Sequence, residues 1–213
     1  MWRRTITFLL SLLSMVMAEA TNHYFKHLGV SDGLSQVCIP SIYQDELGAV
    51  WLGTTEGLNR YNGKDVKVFQ PSESNHGLTN NEINELCGDK NGRMYIRSGN
   101  DLIKLDIYTE QFTCLRQKGV YGLFCKKDTL WVSCADGIYY YTGQGTELTF
   151  FARVQKGFVG RALYVDKETV WVVTRKYLVA ISREDPLRQE ILLTLDKGNC
   201  ILGDSSGNIW VGA

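Results

Sequence analysis

The sequence predicts an all-β fold: an incomplete β-propeller of four-stranded antiparallel blades, four blades plus part of a fifth. Three observations carry this. Five aromatic residues, Trp51, Tyr95, Trp131, Trp171 and Trp210, anchor self-similar phrases at steps of 44, 36, 40 and 39 residues. A period near 40 marks a repeat architecture, and four short strands per period make one blade. Glycine is plentiful at 21 residues and proline scarce at 3, the pattern of many tight turns between short strands. The anchor strands, such as "VWLG" (50–53) and "LWVS" (130–133), are apolar on both faces, as strands covered on both sides are.

The chain of 213 residues is 44% hydrophobic with a formal net charge of zero. That composition suits a folded domain with a sizeable core. It offers no basic tract for nucleic acid. Residues 1–20 read as a secretory signal peptide: a basic start at Arg3-Arg4, an apolar run from Ile6 to Met17, and the small-x-small pattern Ala18-Glu19-Ala20. An uncleaved anchor is the alternative, although the run is shorter than the about 20 residues a span needs. Either way, residues 21–213 are expected outside the cytoplasm, in the periplasm.

The blade units are expected at about 34–70, 78–116, 119–153, 158–195 and 198–213. Each opens with an apolar strand: "QVCIPSIYQ", "EINELCG", "GVYGLFC", "GRALYV", "NCILG". A turn follows. In units one, two and five it is Asp-x-x-Gly, at Asp45–Gly48, Asp89–Gly92 and Asp204–Gly207. Asp caps such a turn with its side chain and Gly takes the left-handed backbone. In unit four, "VDKETVW", that turn is read as lost. The second strand carries the anchor: "AVWLGT", "RMYIRS", "TLWVSC", "TVWVVT", "NIWVGA". Third strands are "LNRYN", "LIKLD", "IYYYT" and "LVAIS"; fourth segments are "VKVFQ", "EQFTCLR", "ELTFFARV" and "QEILLTL". The units end inside a fifth. The sequence is therefore read as an N-terminal fragment, a truncated frame or a remnant, with an exposed blade face and poor stability alone.

Trp51, Trp131, Trp171 and Trp210 are possible sugar platforms, but a residue repeated in every blade is core first. Asp45, Asp89 and Asp204 recur at one turn position, which says turn capping rather than paired catalytic carboxylates. His23 and His27 stand four apart in a strand-like context, which gives no chelating geometry; His76 reads as a loop residue. "GQGTEL" (143–148) lacks the third Gly of a dinucleotide fingerprint. No metal site, cofactor or catalytic residue is expected. Cys38, Cys87, Cys114, Cys125, Cys134 and Cys200 lack framework spacing, and buried free thiols are expected over a disulfide staple. The irregular loops are the recognition candidates: Arg97–Asp101, Val154–Arg161 and Arg175–Tyr177, where Arg and Tyr suit an acidic sugar or another anion.

The phrase "IYQDELGAVWLGTTEGLNRYNG" (42–63) resembles the two-component regulator propeller repeat. "FKHLGVSDGLSQ" (25–36) is similar to that family's propeller start, and "NHGLTNNEI" (75–83) to its blade linker. The resemblance implies an exported sensor of a hybrid two-component regulator. It also implies an oligosaccharide ligand, a histidine kinase elsewhere in the protein, homodimers of the intact protein, and membrane attachment through parts outside this chain. Two other functions stay open: a propeller-based glycan lyase or hydrolase, and a protein-interaction scaffold.

Overall fold

A computed structural model describes residues 25–71 and 77–213. The signal-peptide reading, His23 and His76 lie outside the described residues. Four four-stranded antiparallel sheets and one two-stranded sheet follow one another along the chain. Blade one is β1 (Ser41–Gln44), β2 (Val50–Thr54), β3 (Gly57–Tyr61) and β4 (Val66–Phe69). Blade two is β5 (Ile83–Gly88), β6 (Arg93–Ser98), β7 (Asp101–Asp106) and β8 (Gln111–Arg116). Blade three is β9 (Val120–Lys126), β10 (Thr129–Cys134), β11 (Gly137–Tyr141) and β12 (Thr149–Ala152). Blade four is β13 (Gly160–Val165), β14 (Thr169–Thr174), β15 (Tyr177–Ser182) and β16 (Gln189–Thr194). The fifth sheet pairs β17 (Cys200–Gly203) with β18 (Ile209–Gly212). Helical structure among the described residues is limited to two single 3-10 turns. The first strand is shorter than its apolar run because Pro40 has no N–H to give a ladder.

Three apolar seams hold neighbouring blades together. Between blades one and two, Trp51, Leu58 and Phe69 meet Ile83, Met94, Ile96 and Ile103. Between two and three, Tyr95 and Leu102 meet Leu123, Leu130, Val132 and Tyr141. Between three and four, Trp131 and Ile138 meet Leu163, Val170, Val172 and Val179. The anchor aromatic of each blade is thus covered by the blade that follows. Burial tracks that rule. Trp51 and Tyr95 are fully buried and Trp131 nearly so, Trp171, followed by a sheet of two strands, is half-buried, and Trp210 is 62% exposed.

The capping Asp does more than close a turn. Asp45 Oδ1 accepts from the backbone N–H of Leu47 and Ala49, while Oδ2 accepts from Trp51 Nε1 at 2.8 Å. Asp204 makes the same set with Ser206, Asn208 and Trp210. Unit four lacks the Asp-x-x-Gly turn, as "VDKETVW" reads, yet it keeps this lock. Asp166 Oδ1 caps Glu168 and Thr169, and Oδ2 accepts from Trp171 Nε1 at 2.7 Å. Only the glycine is lost, because a turn one residue shorter needs no left-handed position. In blade two the anchor is Tyr95, which cannot reach back, and Asp89 Oδ2 pairs with Arg93 Nε instead. Unit three has Lys126 where the others have Asp, and its ammonium donates to the Val165 carbonyl across the seam at 2.6 Å.

The cysteines depart from the expectation of uniform burial. Cys134 is buried and Cys87, Cys114 and Cys125 are half-buried, but Cys38 and Cys200 are exposed. Cys38 precedes β1, and Cys200 lies on the two-stranded sheet, which no further strand extends among the described residues.

Candidate binding site on the loop face

In an antiparallel meander, the turn between the second and third strands of a blade lies on the same rim as the connection to the next blade. Backbone bonds tie the two. Gly57 N donates to Asn81 O, Gly99 N to Glu82 O, Ala135 N to Gly119 O, and Gly198 N to Arg175 O. The Asp–Trp locks sit on the opposite rim. All three candidate loops fall on the first rim, Arg97–Asp101 and Arg175–Tyr177 as turns and Val154–Arg161 as the connection from blade three to blade four.

A recurring irregularity aims side chains into this rim. Each inner strand of blades two, three and four breaks its register near its start: between Ile83 and Glu85, between Val120 and Gly122, and between Gly160 and Ala162. The skipped residues are Asn84, Tyr121 and Arg161. A bulged residue leaves the ladder and redirects its side chain. Tyr121 and Arg161 both line a cavity of about 380 Å³, together with Phe158, Val159, Thr174, Arg175 and Lys176. The structure therefore brings two of the three candidate loops to one place and adds Tyr121, which the repeat pattern did not single out. Arg97 is elsewhere, paired with Glu85 at 3.4 Å.

The site has a fixed frame. Gln155 N donates to Gln189 Oε1 at 2.8 Å, and Gln189 Nε2 donates to the Arg153 carbonyl at 2.9 Å, pinning the connecting loop to β16. Thr174 Oγ1 accepts from Tyr177 N at 2.9 Å and closes the turn that carries Arg175 and Lys176. Phe158 packs on Tyr177 with ring centroids 4.8 Å apart. Arg161, Arg175 and Lys176 are exposed and have no ion-pair partner among the described residues. No carboxylate lines the cavity. Apolar rings with three unpaired cations suit a ligand with flat apolar faces and anionic groups.

A second cavity, about 430 Å³, lies on the opposite rim at unit three. Lys126, Lys127, Trp131, Asp166, Lys167 and Arg183 are among its lining residues. Arg183 donates to the Asp166 and Lys167 carbonyls and stands 5.6 Å from the Trp131 ring centre. Lys126 and Arg183 are committed to carbonyl and ring contacts, and Asp128 and Asp166 bring carboxylates to the lining, so the first cavity is the better candidate for an anion. His27 is exposed and stands apart from both. Among the described residues no three His, Cys, Asp or Glu side chains group as metal ligands would. No helix there is long and apolar enough to cross a membrane.

Comparison with known proteins supports the repeat reading. Residues 33–56 match the family profile described as two component regulator propeller. Histidine kinase P4 of Formosa agariphila is 40% identical over 53 residues, which is 25% of this chain and 4% of that protein. The extracellular domain of a putative hybrid two component system from B. thetaiotaomicron superposes with a TM-score of 0.76 at 23% identity, over 88% of this chain and 29% of that one. PorZ, a surface component of the type-IX secretion system of Porphyromonas gingivalis, gives 0.68 at 14% identity, over 90% and 29%. Residues 33–56 carry one two-component regulator propeller repeat, and the chain has the fold of these domains. It spans less than a third of the length of each of these relatives.

Proposed function

We propose that this chain is the ligand-sensing propeller segment of an exported hybrid two-component regulator, and that its ligand is an oligosaccharide carrying acidic groups. The repeat match and the similarity to extracellular domains of two-component systems support the sensor reading. One observation carries the ligand class: Arg161, Arg175 and Lys176 converge without counter-charges beside the rings of Tyr121 and Phe158. A guanidinium holds a carboxylate or sulfate through paired N–H donors, and an aromatic face covers the apolar face of a sugar. Binding at a rim shared by two blades gives the ligand purchase on their relative position. In the whole protein that shift passes to a histidine kinase, with the membrane segment and the dimer contacts supplied outside this chain.

The test is calorimetry on the full chain with a uronate-bearing oligosaccharide and its carboxyl-reduced neutral counterpart. The acidic probe binds, binding weakens with added salt, and Arg161→Ala with Arg175→Ala removes it. Equal binding of both probes, or none, overturns the ligand class. Cleavage of either probe favours the lyase or hydrolase reading instead.

A further inference from the structure

At two seams the inner strands meet through the same contact, while at the third the Phe124 and Tyr164 rings meet edge to face. The inner-strand residue paired with the anchor aromatic is Tyr43 in β1, Cys87 in β5, Phe124 in β9 and Tyr164 in β13. At the first seam, Tyr43 lies against Gly88 of the next inner strand, where an added Cβ would come within 2.2 Å of the tyrosine oxygen. At the fourth, Tyr164 lies against Gly203, where an added Cβ would come within 2.0 Å of the ring. Both are a large ring filling the space a missing side chain leaves. In each case the glycine is one register position beyond the residue that pairs with its own anchor.

The seam between blades two and three has the same positions with different residues. Cys87 takes the place of the ring, and Cys125, one position beyond Phe124, takes the place of the glycine. Their Sγ atoms are 2.7 Å apart. Both are thiols in the structure. β5 and β9 lie side by side here, and Leu123 N donates to Glu85 Oε2 at 3.1 Å from one strand to the other. The contact is therefore set by blade register and not by a free rotamer.

We propose that Cys87 and Cys125 form a disulfide that joins blade two to blade three. Its formation in the cell rests on the export reading, because disulfides persist in oxidising compartments. The oxidant is a disulfide-bearing molecule. One cysteine thiolate attacks it, forming a mixed disulfide and releasing one oxidant thiolate. The second cysteine thiolate then attacks the protein sulfur of that mixed disulfide, closing the Cys87–Cys125 bond and releasing the other oxidant thiolate. The protein gives up two electrons, the oxidant disulfide takes them, and the two thiol protons end on the two oxidant sulfurs. Burial, followed by the Cys125 contact, pushes the Cys87 thiol well above its usual range. The thiolate is therefore scarce once the seam is closed, and exchange proceeds as the seam forms or opens. The bond would close a loop between residues 38 apart in sequence and tie two blades that otherwise share only side-chain packing and a few hydrogen bonds.

The experiment uses the unaltered full chain, purified reduced and incubated with oxidised glutathione under native conditions, so its outcome does not depend on where the cell sends the protein. After denaturing alkylation and digestion, peptide mass mapping shows the Cys87 and Cys125 peptides linked, two hydrogen masses below their sum. Cys38 and Cys200 do not link to either. Oxidation raises the thermal midpoint, and reduction returns it. Cys125→Ser leaves Cys87 alkylated. The proposal is overturned if Cys87 and Cys125 are recovered alkylated or glutathione-capped, or if either is joined to another cysteine. A second preparation, made in a bacterium with residues 1–20 as the only targeting signal, separates the claims: a bond seen in vitro but absent there counts against export and not against the pair.

Discussion

Replacing Asp45 with alanine removes three hydrogen bonds at once. Its Oδ1 caps Leu47 N and Ala49 N, and its Oδ2 holds Trp51 Nε1. Asp45 is 4% exposed and Trp51 fully buried, so water cannot take over the indole N–H or the inner turn N–H. A buried donor left without an acceptor costs about 1–3 kcal/mol. Two such donors put Asp45→Ala at about 2–6 kcal/mol, a large part of the stability of an ordinary domain. At a urea dependence of about 2 kcal/mol/M, the midpoint falls by roughly 2 M. The identical lock at Asp204 is the internal control. It makes the same bonds, but Trp210 is 62% exposed and water replaces the carboxylate. Asp204→Ala therefore leaves the urea midpoint almost unchanged. Equilibrium unfolding followed by tryptophan fluorescence measures both. If the two substitutions cost the same, burial does not set the value of the lock, and the reasoning fails.

Three further outcomes are expected. Arg161→Ala together with Arg175→Ala lowers affinity for an acidic oligosaccharide at least tenfold while leaving the thermal midpoint in place, because both side chains are exposed; calorimetry and a melting curve check this. Burial pushes the Glu85 carboxyl up to about 7, against the opposing Arg97 guanidinium and Leu123 N–H. The folded chain then holds a proton that the unfolded chain releases near 4.5. Stability from this group is complete below about 4.5 and is lost as pH rises toward about 7, by about 1–2 kcal/mol given its partial exposure; Glu85→Gln flattens that slope in urea titrations at several pH values. Gly88→Ala drives a methyl group into the Tyr43 ring at the first seam and costs about 1–3 kcal/mol. Adding Tyr43→Ala to that variant recovers part of the loss in a double-mutant cycle.

The fold was legible because its cause is periodic. An aromatic every 40 residues or so, a turn before it and a glycine after it repeat often enough to be read without coordinates. The Asp turn could be read too, but not its second bond. The partnership of Asp45 with the indole of Trp51 depends on the path of a hairpin. Asp166 keeps its bonds without the glycine for that reason: the pattern shows in the glycine, while the hydrogen bonds depend on the carboxylate.

The local units are written in the sequence: where strands run, where turns close, and which aromatic is core. Each depends on neighbours within a few residues, so composition and spacing encode it. What the units do to one another follows from the packed fold. Tyr121 and Arg161 reach one cavity because inner strands bulge at the same level 40 residues apart. Cys87 and Cys125 meet because two blades share a register. The same Trp is buried in blade one and bare in the fifth sheet because burial belongs to the blade that follows. Such facts join residues that are distant along the chain, and a one-dimensional pattern carries no term for the distance between them.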